Sequence, residues 1–225
     1  MADSAAAPRP DVTDMYAVHG VFRDTLGAAP VLVGGVAADD AARAALVANY
    51  YENILSFLEA HHDGEGKLVF PLLRDRCGDA GALIDELDEQ HQEALSLLGS
   101  ARDSLAAWSR GGAPRQQATQ ESLVALGAHL ELHLTNEETN ALPLAAEYLS
   151  PEEWGALPGH GMAAFEGDKI WLILGLIRER MNEEQRVSML EHMPPPAVEM
   201  WTSFGEQAFK DLSTEVVVDV TSRVD

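Results

Sequence analysis

Apolar positions recur three and four residues apart through most of this chain, and no segment sustains an alternation of period two. The pattern predicts helices and no sheet. The first stripe holds Met15, His19, Phe22 and Leu26 and ends at Gly27. APVLVGGVA, which follows Ala28, reads as a loop apolar enough to pack down. Asp39 or Asp40 can cap a long second helix whose inner face is Leu46, Tyr50, Ile54, Phe57, His61, Glu65 and Leu68. A third helix starts near Ala80 and turns Ile84, Leu87, His91, Leu95 and Leu98 to one side. After a loop at GGAPRQ (111–116), a fourth carries Leu123, Leu126, Leu130, His133, Glu137 and Leu144. Four long amphipathic helices with short connections predict an all-α fold, an up-down-up-down four-helix bundle over residues 11–149.

Residues 150–212 read as a helical C-terminal appendage. Ser150-Pro151-Glu152-Glu153 is a capping box with proline at the first helical position. An apolar helix is expected from about Met162 to Met181. Asn182 caps a short one, and the prolines at 194–196 break the chain before a last helix near Val198–Leu212. Residues 213–225 read as a tail without pattern. The appendage has too little core to stand alone, so it should pack on the bundle or on a second copy of the chain, giving a homodimer.

Charge narrows the partners. With 37 acidic against 15 basic residues, the formal charge is −22, which disfavours nucleic acid and anionic membrane surfaces. The single cysteine, Cys77, excludes an internal disulfide and fits a reducing compartment. MADSAAAPRPDV lacks a cationic start followed by an apolar run, so no secretory signal is expected. IWLILGLI at 170–177 is too short to span a bilayer. These features predict a cytoplasmic protein.

The candidate chemistry lies in a repeat. LEAHHDGEGKLVFPLL (58–73) and LELHLTNEETNALPLA (130–145) share the pattern LE-x-H-xxx-E-xxxxx-PL. Six of the first fifteen positions are identical, where ordinary residue usage would give about one. The offset of 72 residues also relates His19 to His91. His-xxx-Glu puts both side chains on one helix face, about 40° apart. The placement of these pairs is the informative part. His19, His61, His91 and His133 each interrupt an apolar stripe, one per helix, and Glu65 and Glu137 extend two of the stripes by a turn. Burying two unpaired carboxylates costs several kcal/mol each, and no lysine lies on the inner faces. A pair of divalent or trivalent metal ions would supply the missing charge. Two imidazoles per ion with carboxylates able to bridge suit iron, manganese or zinc. The alternative bundle plan, Glu-xx-His on two helices, fails here: Glu59-Ala60-His61-His62 contains one such motif, but residues 131–134 read Glu-Leu-His-Leu.

This order of histidines and glutamates, ahead of a Pro-Leu step, resembles the hemerythrin-like (HHE) proteins over residues 15–149. The resemblance implies two non-haem iron ions in the bundle, binding or reacting with dioxygen, peroxide or nitric oxide. Carried over by position, one iron takes His19 and His61 and the other His91 and His133, with Glu65 and Glu137 bridging. Glu138 is an alternative to Glu137, since some relatives use a carboxylate one residue further along. Oxygen-carrying hemerythrins have a second histidine four residues after the third-helix histidine, where this chain has Leu95. His129, one turn before His133, is the candidate replacement. Without it both irons are under-coordinated, which favours redox turnover such as peroxide decomposition over reversible carriage. His62 points about 100° from His61 and is expected beside the site or at the surface. Tyr50 and Cys77 are expected to fill core, and His160 and His192 to be structural. Two other classes fit the same residues: a sensor whose metal state alters the packing of the appendage, and iron handling without turnover.

Overall fold

The computed structural model describes residues 8–165 and 169–221, and the described residues are helical without a strand. The first stripe forms α1 (Asp14–Gly27). APVLVGGVA is not a loop: α2 (Ala29–Gly34) occupies most of it, with Ala29, Leu32 and Val33 buried. Pro30 in the first turn costs this helix no hydrogen bond. Asp40 caps α3 (Ala41–Gly64), its carboxylate accepting from the N–H of Arg43 at 2.9 Å.

The chain does not leave α3 as a regular helix. Residues Glu65–Val69 form a π-turn, closed by the N–H of Phe70 donating to the Glu65 carbonyl, before α4 (Phe70–Arg76). α5 (Gly81–Gly111) and α6 (Gln116–Asn136) follow. A second π-turn, Glu137–Ala141, then leads into α7 (Leu142–Tyr148). Pro71 and Pro143 stand just beyond the two turns. In an unbroken α-helix each ring would press on the carbonyl four residues back, and the wider turn is one way past it. The consequence is a phase slip of one residue. Leu68 and Leu144, predicted to face inward, are only half buried, and Val69, Phe70 and Leu73 or Ala141, Leu142 and Ala145 take the core instead.

The capping box at Ser150 forms as expected and opens α8 (Pro151–Trp154). The single helix expected from Met162 to Met181 is two helices. α9 (Ala156–Ala163) ends before the non-helical Ala164 and Phe165, residues 166–168 lie outside the described residues, and α10 (Lys169–Arg180) resumes. Asn182 caps α11 (Glu183–His192). α12 (Pro195–Met200), a π-turn at Trp201–Gly205 and α13 (Glu206–Thr221) complete the chain. The helix thus runs past Ser213, where a patternless tail was expected, with Val216 buried. Residues 1–7 and 222–225 lie outside the described residues.

α5 packs against α3 and α6, and α1 against α6 and α3; α10 lies on α1 and α3, and α13 on α10, α2 and α3. Arg180 pairs with Asp24, and Arg43 donates to the carbonyls of Glu215 and Val216, pinning the C-terminal helices to the bundle. The apolar core falls into two clusters. One joins Phe22, Leu58, Ala94 and Leu130 to Trp171 and Leu174 of α10; the other joins Met15, Phe70, Leu87 and Leu142. Between them lies a layer of histidines on α1, α3, α5 and α6 and of the glutamates that open the two π-turns. No helix among the described residues is long and apolar enough to cross a membrane.

Candidate metal centre

All six residues singled out by spacing, His19, His61, Glu65, His91, His133 and Glu137, are buried and meet in this layer. Each carboxylate reaches a histidine from both ends of the cluster. Glu65 Oε1 lies 3.3 Å from His61 Nε2 and its Oε2 3.4 Å from His91 Nε2. Glu137 Oε2 lies 3.4 Å from His19 Nε2 and 3.8 Å from His133 Nε2. Two groups of four follow, sharing Glu65: His19, His61, Glu65 and Glu137, and His62, Glu65, His91 and His133. Within each group the ligand atoms lie within 4.8 Å of one another.

The seventh member, His62, corrects the sequence reading. It is 4% exposed, and its ring stacks on His91 with centroids 4.0 Å apart while meeting His133 edge-on at 5.1 Å. A core-facing helix buries an arc wider than 100°, so adjacent residues can straddle the inward direction, and His61 and His62 do. Leu95 was expected in the same layer as His91; it is 37% exposed, and Ala94 holds the inward position. His129 does not join the cluster. Its Nε2 lies 2.8 Å from the Gln90 carbonyl and its Nδ1 3.6 Å from Glu93.

Neighbouring side chains fix how the rings face. His19 Nδ1 donates to Glu138 Oε1 at 2.8 Å, leaving Nε2 for the cluster, and Arg23 donates to both oxygens of the same carboxylate. Glu138, the alternative to Glu137, therefore orients a ring and neutralises Arg23. Against the burial that would raise it, the hydrogen bonds from His19 and Arg23 hold its carboxyl down at about 2. Gln90 Oε1 accepts from His133 Nδ1 at 3.1 Å, again turning Nε2 inward. Such partners set the tautomer and the aim of a ligating imidazole. Sequence spacing gave no sign of Arg23 or Gln90, because neither lies on an apolar stripe.

Burial governs the protonation of the layer. It pushes His61, His62 and His91 below the ordinary imidazole value, and His133 to about 2 with help from neighbouring rings. It lifts Glu65 to about 8 and, with the adjacent Glu65 charge, Glu137 well above the carboxylate range. The neutral imidazoles are ready ligands; the carboxyls become ligands when an ion displaces their protons. Hydrogen bonds within the protein do not explain the arrangement. Seven buried side-chain polar atoms lack a hydrogen-bond partner among the described residues, and six of them are here: Nε2 of His19, His61 and His62, both oxygens of Glu65, and Oε2 of Glu137. Buried polar atoms are nearly always satisfied, so orphans converging on two points fit bound cations. The donor set of imidazole nitrogens and carboxylate oxygens is also that of a transition-metal site.

Tyr50 and Cys77 are buried core residues, as expected. His160 joins Asp63 at 2.7 Å, tying α9 to α3, and His192 Nδ1 donates to the Ser188 carbonyl at 2.7 Å within α11. Comparison with curated proteins and with solved structures gives no match. A family model described as the hemerythrin HHE cation binding domain matches residues 11–145. That match covers more than half of the chain and contains every clustered residue, so the chain belongs to the hemerythrin HHE cation-binding family.

Proposed function

We propose that the cluster holds two iron ions and that the protein uses them to bind and react with dioxygen, peroxide or nitric oxide. The observation that carries this reading is the convergence of six orphaned buried atoms on two four-residue groups sharing one carboxylate. His19 and His61 would hold one ion and His62, His91 and His133 the other, with Glu65 and Glu137 spanning the pair. The fifth imidazole missing at Leu95 would thus come from His62. When bound, the ions supply electrons and open coordination positions for a small oxidant. The chain's own residues do the rest. The two apolar clusters exclude bulk water on either side of the layer. Glu138 and Gln90 hold the rings of His19 and His133 in the ligating tautomer. The His19/His61 side offers two imidazoles where the other offers three, so it is the side left more open. In this reading the four site-bearing helices run up-down-up-down, as short connections between neighbours favour, and the protein works in the cytosol, where Cys77 stays a thiol.

The test is to load the protein anaerobically with ferrous iron and expose it separately to dioxygen, peroxide and nitric oxide, following the near-ultraviolet and visible spectrum. A change with at least one of the three is expected, and one that needs Glu65 and Glu137. A loaded protein inert to all three would sink the redox reading and leave a cation-binding bundle.

A further inference from the structure

Between the bundle and the C-terminal helices lies a cavity of about 640 Å³, within the usual size range of small-molecule sites. Its walls are mostly apolar, with Met15, Phe57, Trp154, Phe165, Ile173 and Met189 contributed by both parts of the chain. Of the clustered histidines, only His61 lines it. The cavity therefore abuts the side of the metal centre that offers two imidazoles.

The polar side chains around the cavity are as informative as the apolar ones. Asp11, Asp14 and Glu184 line it, and no lysine or arginine does among the described residues. Asp11 and Glu184 are exposed at its edge, while Asp14 is half buried and accepts from Trp154 Nε1 at 3.1 Å. His192 is the one further imidazole on the wall, and its Nδ1 is already committed to the Ser188 carbonyl. In the metal-free protein a ligand carboxylate entering here would lose its hydration without gaining a cation from the walls, which is costly. An ammonium group would meet carboxylates of the opposite sign.

We propose that this cavity binds an apolar small molecule with a neutral or cationic head, seated against His61, and that its walls disfavour carboxylates such as fatty acids. The methionines Met15, Met162, Met181, Met189 and Met193 around it suit a site that adapts to ligand shape. Binding depends on the cavity walls and not on the metal, so it stands apart from the iron reading.

The experiment titrates N-phenyl-1-naphthylamine, a neutral dye that brightens in apolar surroundings, into the full chain with and without bound metal. Decanol, decylamine and decanoate then compete with it below their micelle concentrations. Saturable dye binding is expected in both, and in metal-free protein decanol and decylamine should displace the dye at least about tenfold more effectively than decanoate. Met162→Trp fills the cavity from a half-buried position and should weaken dye binding about tenfold at unchanged helical content. Met189→Trp does the same from α11, so one misfolded variant does not void the test. No saturable binding, decanoate competing as well as decanol in metal-free protein, or filling variants that fold and bind dye like the parent would each overturn the proposal.

Discussion

His61 and His62 are neighbours in the chain, yet their rings serve opposite ends of the cluster. His61 meets His19 edge-on at 5.3 Å, while His62 stacks on His91. Six of the seven clustered residues were readable from spacing, because a histidine or glutamate that interrupts an apolar stripe declares its direction. His62 was not, because a stripe assigns a helix a single inward line and the buried arc is far broader. Leu95 misled for a related reason. Three and four residues after His91 lie on either side of its direction, and an apolar pattern favours the larger side chain. The buried series Ala94, Leu98, Ala101 and Leu105 shows that α5 turns the smaller one inward. Metal content should separate these positions. His62→Ala should retain only about one ion per chain, since its group loses an imidazole that nothing replaces. Leu95→His and His129→Ala should keep the metal content and spectrum of the parent. Full metal content with an unchanged spectrum in His62→Ala would remove His62 from the ligands.

At the scale of elements, the repeat was legible but its geometry was not. LE-x-H-xxx-E-xxxxx-PL announces two equivalent segments, and the structure makes both of them a helix, a glutamate and a π-turn. Regular helical periodicity carried on through Leu68 and Leu144, since nothing in an apolar pattern marks one extra residue in a turn. The proline did mark it. Deleting Gly66, which is exposed with open space around it, should leave Val69, Phe70 and Leu73 on their faces, because a π-turn holds one residue more than an α-turn. It should also press Pro71 onto the Lys67 carbonyl, costing ~3 kcal/mol, most of which Pro71→Ala should recover. Deleting the exposed Gly99 from α5 should be worse and without rescue, since it rotates Ala101, Leu105 and Trp108 by about 100°. Denaturant unfolding of the variants decides this. Equal damage from the rescued Gly66 deletion and the Gly99 deletion would mean that the π-turn does not absorb the extra residue.

Across the whole molecule, sequence predicted C-terminal helices but left open whether they meet the bundle or another subunit, because an amphipathic face does not encode its partner. Within the chain, Trp171 and Leu174 of these helices are buried with Phe22 and Leu58. The helix beyond Ser213 was hidden by its Thr and Val residues, poor helix formers, which the burial of Val216 and the bonds from Arg43 override. The polar layer makes stability depend on pH in an unusual direction. His61, His62, His91 and His133 bind fewer protons folded than unfolded, so their contribution is lost as pH falls below the ordinary value of 6.5. Glu65 and Glu137 bind more protons folded, so theirs is full below 4.5 and lost as pH rises toward the folded value, about 8 for Glu65. Above 6.5 the imidazoles no longer oppose the carboxyls. Metal-free protein should therefore weaken between pH 6.5 and 8, by up to about 1.4 kcal/mol per pH unit for each carboxyl. Bound metal should abolish that slope by holding both carboxylates ionised. Urea midpoints with chelator and with metal test it, and a metal-free midpoint that is flat or rises across this window would rule it out.

The equilibrium metal content of the full chain, after loading and removal of loose ions, tests the reading of the buried layer most directly. About two irons per chain are expected, falling to about one or fewer in Glu65→Ala, because both four-residue groups use that carboxylate. Well under one ion of any kind per chain, after reconstitution with iron, manganese and zinc in turn, would leave the six orphaned atoms unexplained and overturn the metal centre itself.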